Sequence, residues 1–128
     1  MSINNIDPRV SAKMLGFQRE MTAATATVAY TGLGFKPSAL IWLSSKSASI
    51  GPYCIGFAGN DKTIRAIEME QTSLEGNEQA QFYGREDTAT NYQKATVASY
   101  DDDGFTLDWG KFGTPGAGTL YCNVLALR

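Results

Sequence analysis

The chain predicts an all-β fold, an antiparallel β-sandwich of jelly-roll-like form. Three observations carry this. Candidate strands recur at roughly ten-residue spacing. No long helix is legible. The most apolar stretch, Ala39-Leu40-Ile41-Trp42-Leu43, is a short run closed by Gly34-Phe35-Lys36-Pro37 before it and Ser44-Ser45 after it. Pro37 fixes its own φ and biases Lys36 away from helix, so a turn ends there. The run is too short and too well punctuated for a buried helix, and reads as a strand covered on both faces. Such a strand lies inside a sandwich, or in a sheet whose outer face meets another chain.

Taken in order, residues 1–9 form a polar arm, with Asn4-Asn5 and Asp7-Pro8 as turn formers. The single domain runs over 10–128. Val10, Met14 and Phe17 sit near helical spacing, but Gly16 weakens a helix, and a short strand is expected over 13–19. Residues 22–31, rich in Thr and Ala with Val28 and Tyr30 alternating, form the next strand. Gly32-Leu33-Gly34 turns the chain into the 39–43 strand, and 44–49 follows as a small polar surface loop.

Tyr53, Ile55 and Phe57 share one face of the next strand; Cys54, Gly56 and Ala58 share the other. A face that small throughout calls for something bulky packed on it, or another backbone close by. Gly59-Asn60-Asp61 is a hairpin turn into a strand over 62–70. Residues 71–79 read as a long exposed loop, and 81–83 as a short edge strand. The clearest hairpin is 92–109: Asp101-Asp102-Asp103-Gly104 joins two period-two runs, the second being Phe105, Leu107 and Trp109. Residues 110–118, with their glycines and Pro115, are a loose loop. The closing strand, 119–127, puts Leu120, Cys122, Val124 and Ala126 on one face and Tyr121, Leu125 and Leu127 on the other, so both faces are largely apolar.

Composition narrows the function. The chain has 128 residues, 43% of them hydrophobic and 19% charged. A domain of this size buries roughly two-thirds of its unfolded surface and needs no metal or disulfide staple. A net charge of −2 and the lack of a Lys/Arg block argue against a nucleic-acid partner. No apolar run is long enough for a bilayer, and no basic region followed by an apolar one marks a signal peptide. A soluble intracellular product, or one assembled there into a particle, is expected. There is no histidine, which removes Ser-His-Asp and Cys-His catalysis and His-ligated metals. Cys54 and Cys122 read as free, buried thiols.

The remaining candidates for chemistry are weak. Adjacent carboxylates at Asp101, Asp102 and Asp103 lack the alternate spacing of a calcium loop and read as a solvated acidic turn. Glu68, Glu70 and Glu75 read as surface charges that guard a strand edge rather than a glycosidase pair. Trp42, Trp109, Tyr92 and Tyr100 are the aromatics that can stack on a sugar ring, although both tryptophans fit the core better. No catalytic residue, metal ligand or cofactor is expected.

Three segments stand together as a larger pattern. Gly32-Leu33-Gly34-Phe35-Lys36-Pro37-Ser38-Ala39-Leu40-Ile41-Trp42, Ile55-Gly56-Phe57-Ala58-Gly59 and Asp103-Gly104-Phe105-Thr106-Leu107-Asp108-Trp109 resemble segments of small β-rich structural proteins of tailed bacteriophages. The resemblance implies a virion component: a capsid decoration (cement) protein or a minor head or tail protein, oligomeric and non-enzymatic. A carbohydrate- or receptor-binding module of a tail fibre is the alternative, with a glycan as its ligand. The expected partners are the chain itself and capsid or tail proteins. Strands apolar on both faces call for a partner chain. The trimer expected here rests on the resemblance alone. The candidate contacts are Ile3, Ile6 and Pro8 in the arm and Tyr121, Leu125 and Leu127 on the closing strand.

Overall fold

The computed structural model describes residues 11–46, 53–69, 74–77, 82–85 and 91–128. Every regular element among them is a strand: β1 Ala12–Glu20, β2 Ala26–Thr31, β3 Ala39–Lys46, β4 Tyr53–Ala58, β5 Ile64–Met69, β6 Leu74–Asn77, β7 Phe82–Arg85, β8 Tyr92–Asp101, β9 Gly104–Phe112 and β10 Thr119–Leu127. They form two antiparallel sheets, one ordered β1-β10-β3-β4-β5-β6 and the other β2-β9-β8-β7. The predicted sandwich is what forms. Its outer strands pair in nested fashion, β1 on β10 and β2 on β9, in the manner of a jelly roll. The inner strands run as hairpins, β3 to β4 to β5 and β8 to β9.

Period-two patterning explains the core. Leu40, Trp42 and Ser44 of β3, Cys54 and Ala58 of β4, Phe105, Leu107 and Trp109 of β9, and Leu120, Cys122, Val124 and Ala126 of β10 all point between the sheets and are buried. Phe17 of β1 stacks on Tyr30 of β2 with ring centroids 3.9 Å apart and meets Trp109 edge-on at 6.4 Å. The Trp109 indole N–H donates to the Tyr30 hydroxyl at 2.9 Å, so the largest buried ring on that side keeps its polar atom paired.

The small face of β4 has the bulky neighbour the sequence demanded. Trp42 lies across Gly56, which is its register partner, and a Cβ at Gly56 would overlap the indole. A second close approach is at Gly104, where a Cβ would overlap the Tyr30 carbonyl of the neighbouring strand.

Of the two placements the sequence allowed for the 39–43 strand, the structure shows the one with an outer face that its own chain leaves open: Ile41 is 39% exposed and Leu43 44%. The 119–127 strand is likewise open on one side, with Tyr121 exposed and Leu125 and Leu127 half-buried. A two-layer sandwich has only one interior, so the second apolar face of each strand is left outside. Residues 44–46 are strand rather than surface loop, and Ser44 is fully buried, because β3 must stay paired with both β10 and β4. The 22–31 strand begins only at Ala26, since Met21 and Thr22 form a turn in which the Met21 amide donates to the Gly118 carbonyl. The strand expected from Lys62 begins at Ile64. Lys62 adopts a φ of 63° to close the turn, and its amide donates to the Gly59 carbonyl. The loop at 71–79 contains β6, and β9 extends two residues past Gly110. The edge strand expected at 81–83 is β7. The arm, with Ile3, Ile6 and Pro8, lies outside the described residues, as do Glu70 and the side chains of Glu68 and Glu75.

Tyr100 links the two hairpins. Its hydroxyl donates to the Gly59 carbonyl at 2.7 Å, and burial, reinforced by the Asp61 charge, pushes its pKa up to about 12. A phenol raised above its unfolded value near 10 contributes stability that is complete below that pH and is lost as pH rises through the folded value. Tyr100→Phe is therefore expected to flatten the loss of stability between about pH 10 and 12. Urea midpoints across that range test it, and equal slopes in the two proteins would refute it.

Candidate docking surface

The outer face of the six-stranded sheet carries seven of the eight exposed large hydrophobic side chains among the described residues, and registers across four strands set its layout. Met14 of β1, Leu125 of β10, Ile41 of β3 and Phe57 of β4 stand side by side in one row. The next row is Gly16, Asn123, Leu43 and Ile55; the third is Gln18, Tyr121, Ser45 and Tyr53. Backbone pairing continues these rows to Arg65, Ile67 and Met69 of β5. Met14 at 59% exposed, Ile55 at 48% and Phe57 at 47% are the most open of its large apolar side chains. None of the twelve residues in the three rows carries a charge. Scattered exposed apolar residues are ordinary, but a contiguous patch four strands wide marks an interaction site.

The surface has relief. Gly16 lacks a side chain, and together with Gln18, Tyr121 and Asn123 it bounds an open depression of about 420 Å³. On the other side of the patch, Phe57, Ile55 and Tyr53 form a ridge along β4.

Of the sequence candidates, Tyr121, Leu125 and Leu127 all fall on the outer side of β10, and Tyr121 and Leu125 stand within the three rows. Sequence reasoning missed Met14, Ile41, Leu43, Tyr53, Ile55 and Phe57 as contact residues. The signal was present: a strand whose small face must receive Trp42 turns its large residues outward.

The outer face of the other sheet is different. Here Phe112 is stacked on its cross-strand partner Tyr92 at 4.7 Å, and the Lys94 ammonium sits 4.6 Å above the Phe112 ring. Lys94, Thr96, Asp108, Gly110 and Phe112 line an open cavity of about 310 Å³. Thr27 donates to the Asp108 carboxylate at 2.6 Å. Trp42 and Trp109, each 1% exposed, are core and not stacking platforms. Tyr100 is half-buried and occupied with Gly59, so of the four aromatics Tyr92 is the one left with its ring on an outer face, stacked on Phe112.

The acidic turn is structural rather than merely solvated. The Asp103 carboxylate accepts from the amides of Gly32 at 3.1 Å and Gly34 at 2.6 Å, clamping a turn whose φ values of 101° and 78° favour glycine. The Asp101 carboxyl accepts from Thr106 and Ser99, each at 2.7 Å, and these bonds hold its pKa below the usual range, Thr106 having the larger effect. Among the described residues no group of three or more Cys, Asp or Glu is placed to hold a metal ion.

Cys54 and Cys122 are buried thiols outside any disulfide. Both are register partners of Ser44, on opposite sides of β3. Two strand spacings put them roughly 10 Å apart, beyond the ~4.4–6.8 Å between Cα atoms that a disulfide spans. Burial, and secondarily the neighbouring Cys54, pushes the Cys122 thiol well up, away from the reactive thiolate.

No helix among the described residues is long and apolar enough to cross a membrane. Compared with protein-family models, curated proteins and solved structures, the chain matches none.

Proposed function

We propose that this chain is a bacteriophage virion structural protein, a capsid decoration or cement protein that works by adhesion between subunits and performs no turnover. The observation that carries the docking part of this reading is the uncharged apolar face spread over β1, β10, β3 and β4. Left in water, that face is costly; pressed against another subunit, it supplies the binding energy. The phage part rests on the resemblance of the segments at 32–42, 55–59 and 103–109. Its partners are capsid or tail subunits and further copies of the chain. Electron microscopy and mass spectrometry of intact particles test the proposal. The expected result is a regular array of copies on the particle, with the six-stranded sheet against a neighbour. Absence from the particle would overturn it.

A second reading is a glycan-binding module of a tail fibre. The Phe112–Tyr92 stack favours it, because an aromatic plane flanked by Lys94, Thr96 and Asp108 offers both a surface for a sugar ring and donors and acceptors for its hydroxyls. A glycan array would show binding that Phe112→Ala removes, and a blank array would dismiss it.

A further inference from the structure

We infer that the outer face of the six-stranded sheet is covered by a second copy of this chain, packed face to face about a twofold axis running along the strands between β10 and β3. The inference rests on reading that face as a docking surface, and it names the occupant.

Three features of the face point to a copy of itself. The first is area. The four strands that such an axis brings together, about 4.8 Å apart and on average about eight residues long at about 3.4 Å per residue, present on the order of 500 Å². Two such faces together reach about 1,000 Å², the total that a specific interface must clear. The second is charge. An isologous contact sets a patch against itself, so any charge near the axis meets its own kind. The three rows from Met14, Gly16 and Gln18 across to Phe57, Ile55 and Tyr53 contain none. A face built for a partner of opposite charge would carry one sign.

The third is shape. The depression at Gly16 and the ridge along β4 lie on opposite sides of the patch, at the same level, since Gly16, Asn123, Leu43 and Ile55 share one row. A twofold axis along the strands between β10 and β3 lays β4 of each copy over β1 of the other. Ile55 then enters the depression at Gly16 of the second copy, and the same contact forms twice. An axis across the strands would instead set ridge against ridge. A closed ring of three uses two different patches on each subunit, whereas this contact uses one patch twice and closes as a pair.

Light scattering and sedimentation of the full-length protein between about 1 and 100 µM test the inference. The expected mass is twice the 13.8 kDa of the chain. Leu43→Lys places a charge in the central row, and the dissociation constant is expected to rise at least tenfold. Leu43 is 44% exposed in a single chain, so the variant keeps its fold, which circular dichroism checks. Gly16→Leu fills the depression; its nearest obstacle is the end of the Asn123 side chain at 3.2 Å, which can turn away. It is expected to weaken the pair about as much.

A wild-type monomer at 100 µM, a trimer, or a pair indifferent to Leu43→Lys would each overturn the inference. A pair indifferent to Gly16→Leu would overturn the placement of the axis. Cosedimentation with particles separates the two levels. A monomer whose attachment to particles is lost in Leu43→Lys refutes the second copy and supports the docking surface. A stable pair from a chain absent from particles does the reverse.

Discussion

Trp42→Ala is expected to lower the unfolding free energy by about 3–5 kcal/mol in urea titrations, because the largest ring of β3 leaves a cavity among residues too constrained to collapse into it. Cys54, Gly56 and Ala58 opposite it are all small and all on one rigid strand, so nothing on that strand can grow inward to fill the space. The companion variant isolates the reason. Gly56→Ala overlaps the indole and is expected to cost about 1–3 kcal/mol in the wild-type background. In the Trp42→Ala background the same methyl fills part of the vacated space, and the cost is expected to vanish or reverse. The coupling of such a cycle is the measured quantity. Additive effects would show that the ring does not bear on Gly56.

The second large effect is expected at Gln93, a fully buried polar side chain on β8. Its amide nitrogen donates to the carbonyls of Met21 at 2.9 Å and Ala23 at 2.6 Å, and its amide oxygen accepts from Arg19 Nε at 3.1 Å. Arg19 also donates to the Ala24 carbonyl at 2.6 Å, and its guanidinium lies 4.8 Å from the centre of the Trp109 ring. One amide thus ties the turn between β1 and β2 to the opposite sheet. Gln93→Leu keeps the volume but removes the amide partner of two carbonyls and of the Arg19 Nε–H, with an expected loss of about 2–4 kcal/mol. Gln93→Glu retains the acceptor for Arg19 and loses the donors. It should fall between wild type and Gln93→Leu above neutral pH. Thermal and urea unfolding measure both variants. A Gln93→Leu protein of wild-type stability would mean that water satisfies those groups.

None of this network was legible in the sequence. Gln93 occupied a polar-looking slot in an alternating strand, and its partners lie 70 to 74 residues away. Asp103 was similarly opaque: three adjacent carboxylates in a turn look solvated until Gly32 and Gly34 are brought beneath them by the pairing of β2 with β9. Long-range hydrogen bonds of this kind leave no local period, so a strand reading passes over them.

What local chemistry could specify, it did. The hairpin at 101–104, the inward face of Phe105, Leu107 and Trp109, and the ends of the closing strand follow from turn residues and period two, which act over a few residues. The allotment of faces in β3, β4 and β10 does not follow in that way. Each of these strands is apolar on both sides or nearly so, and alternation is blind to which side is inside. That choice is made by volume across neighbouring strands. Trp42 needs the hollow over Gly56, and seating it there turns Leu40 and Ser44 inward with it and Ile41 and Leu43 out. Pairing then carries the same decision to Tyr53, Ile55 and Phe57 on one side and to Tyr121 and Leu125 on the other, so one packing contact in the core lays out the apolar surface on the outside.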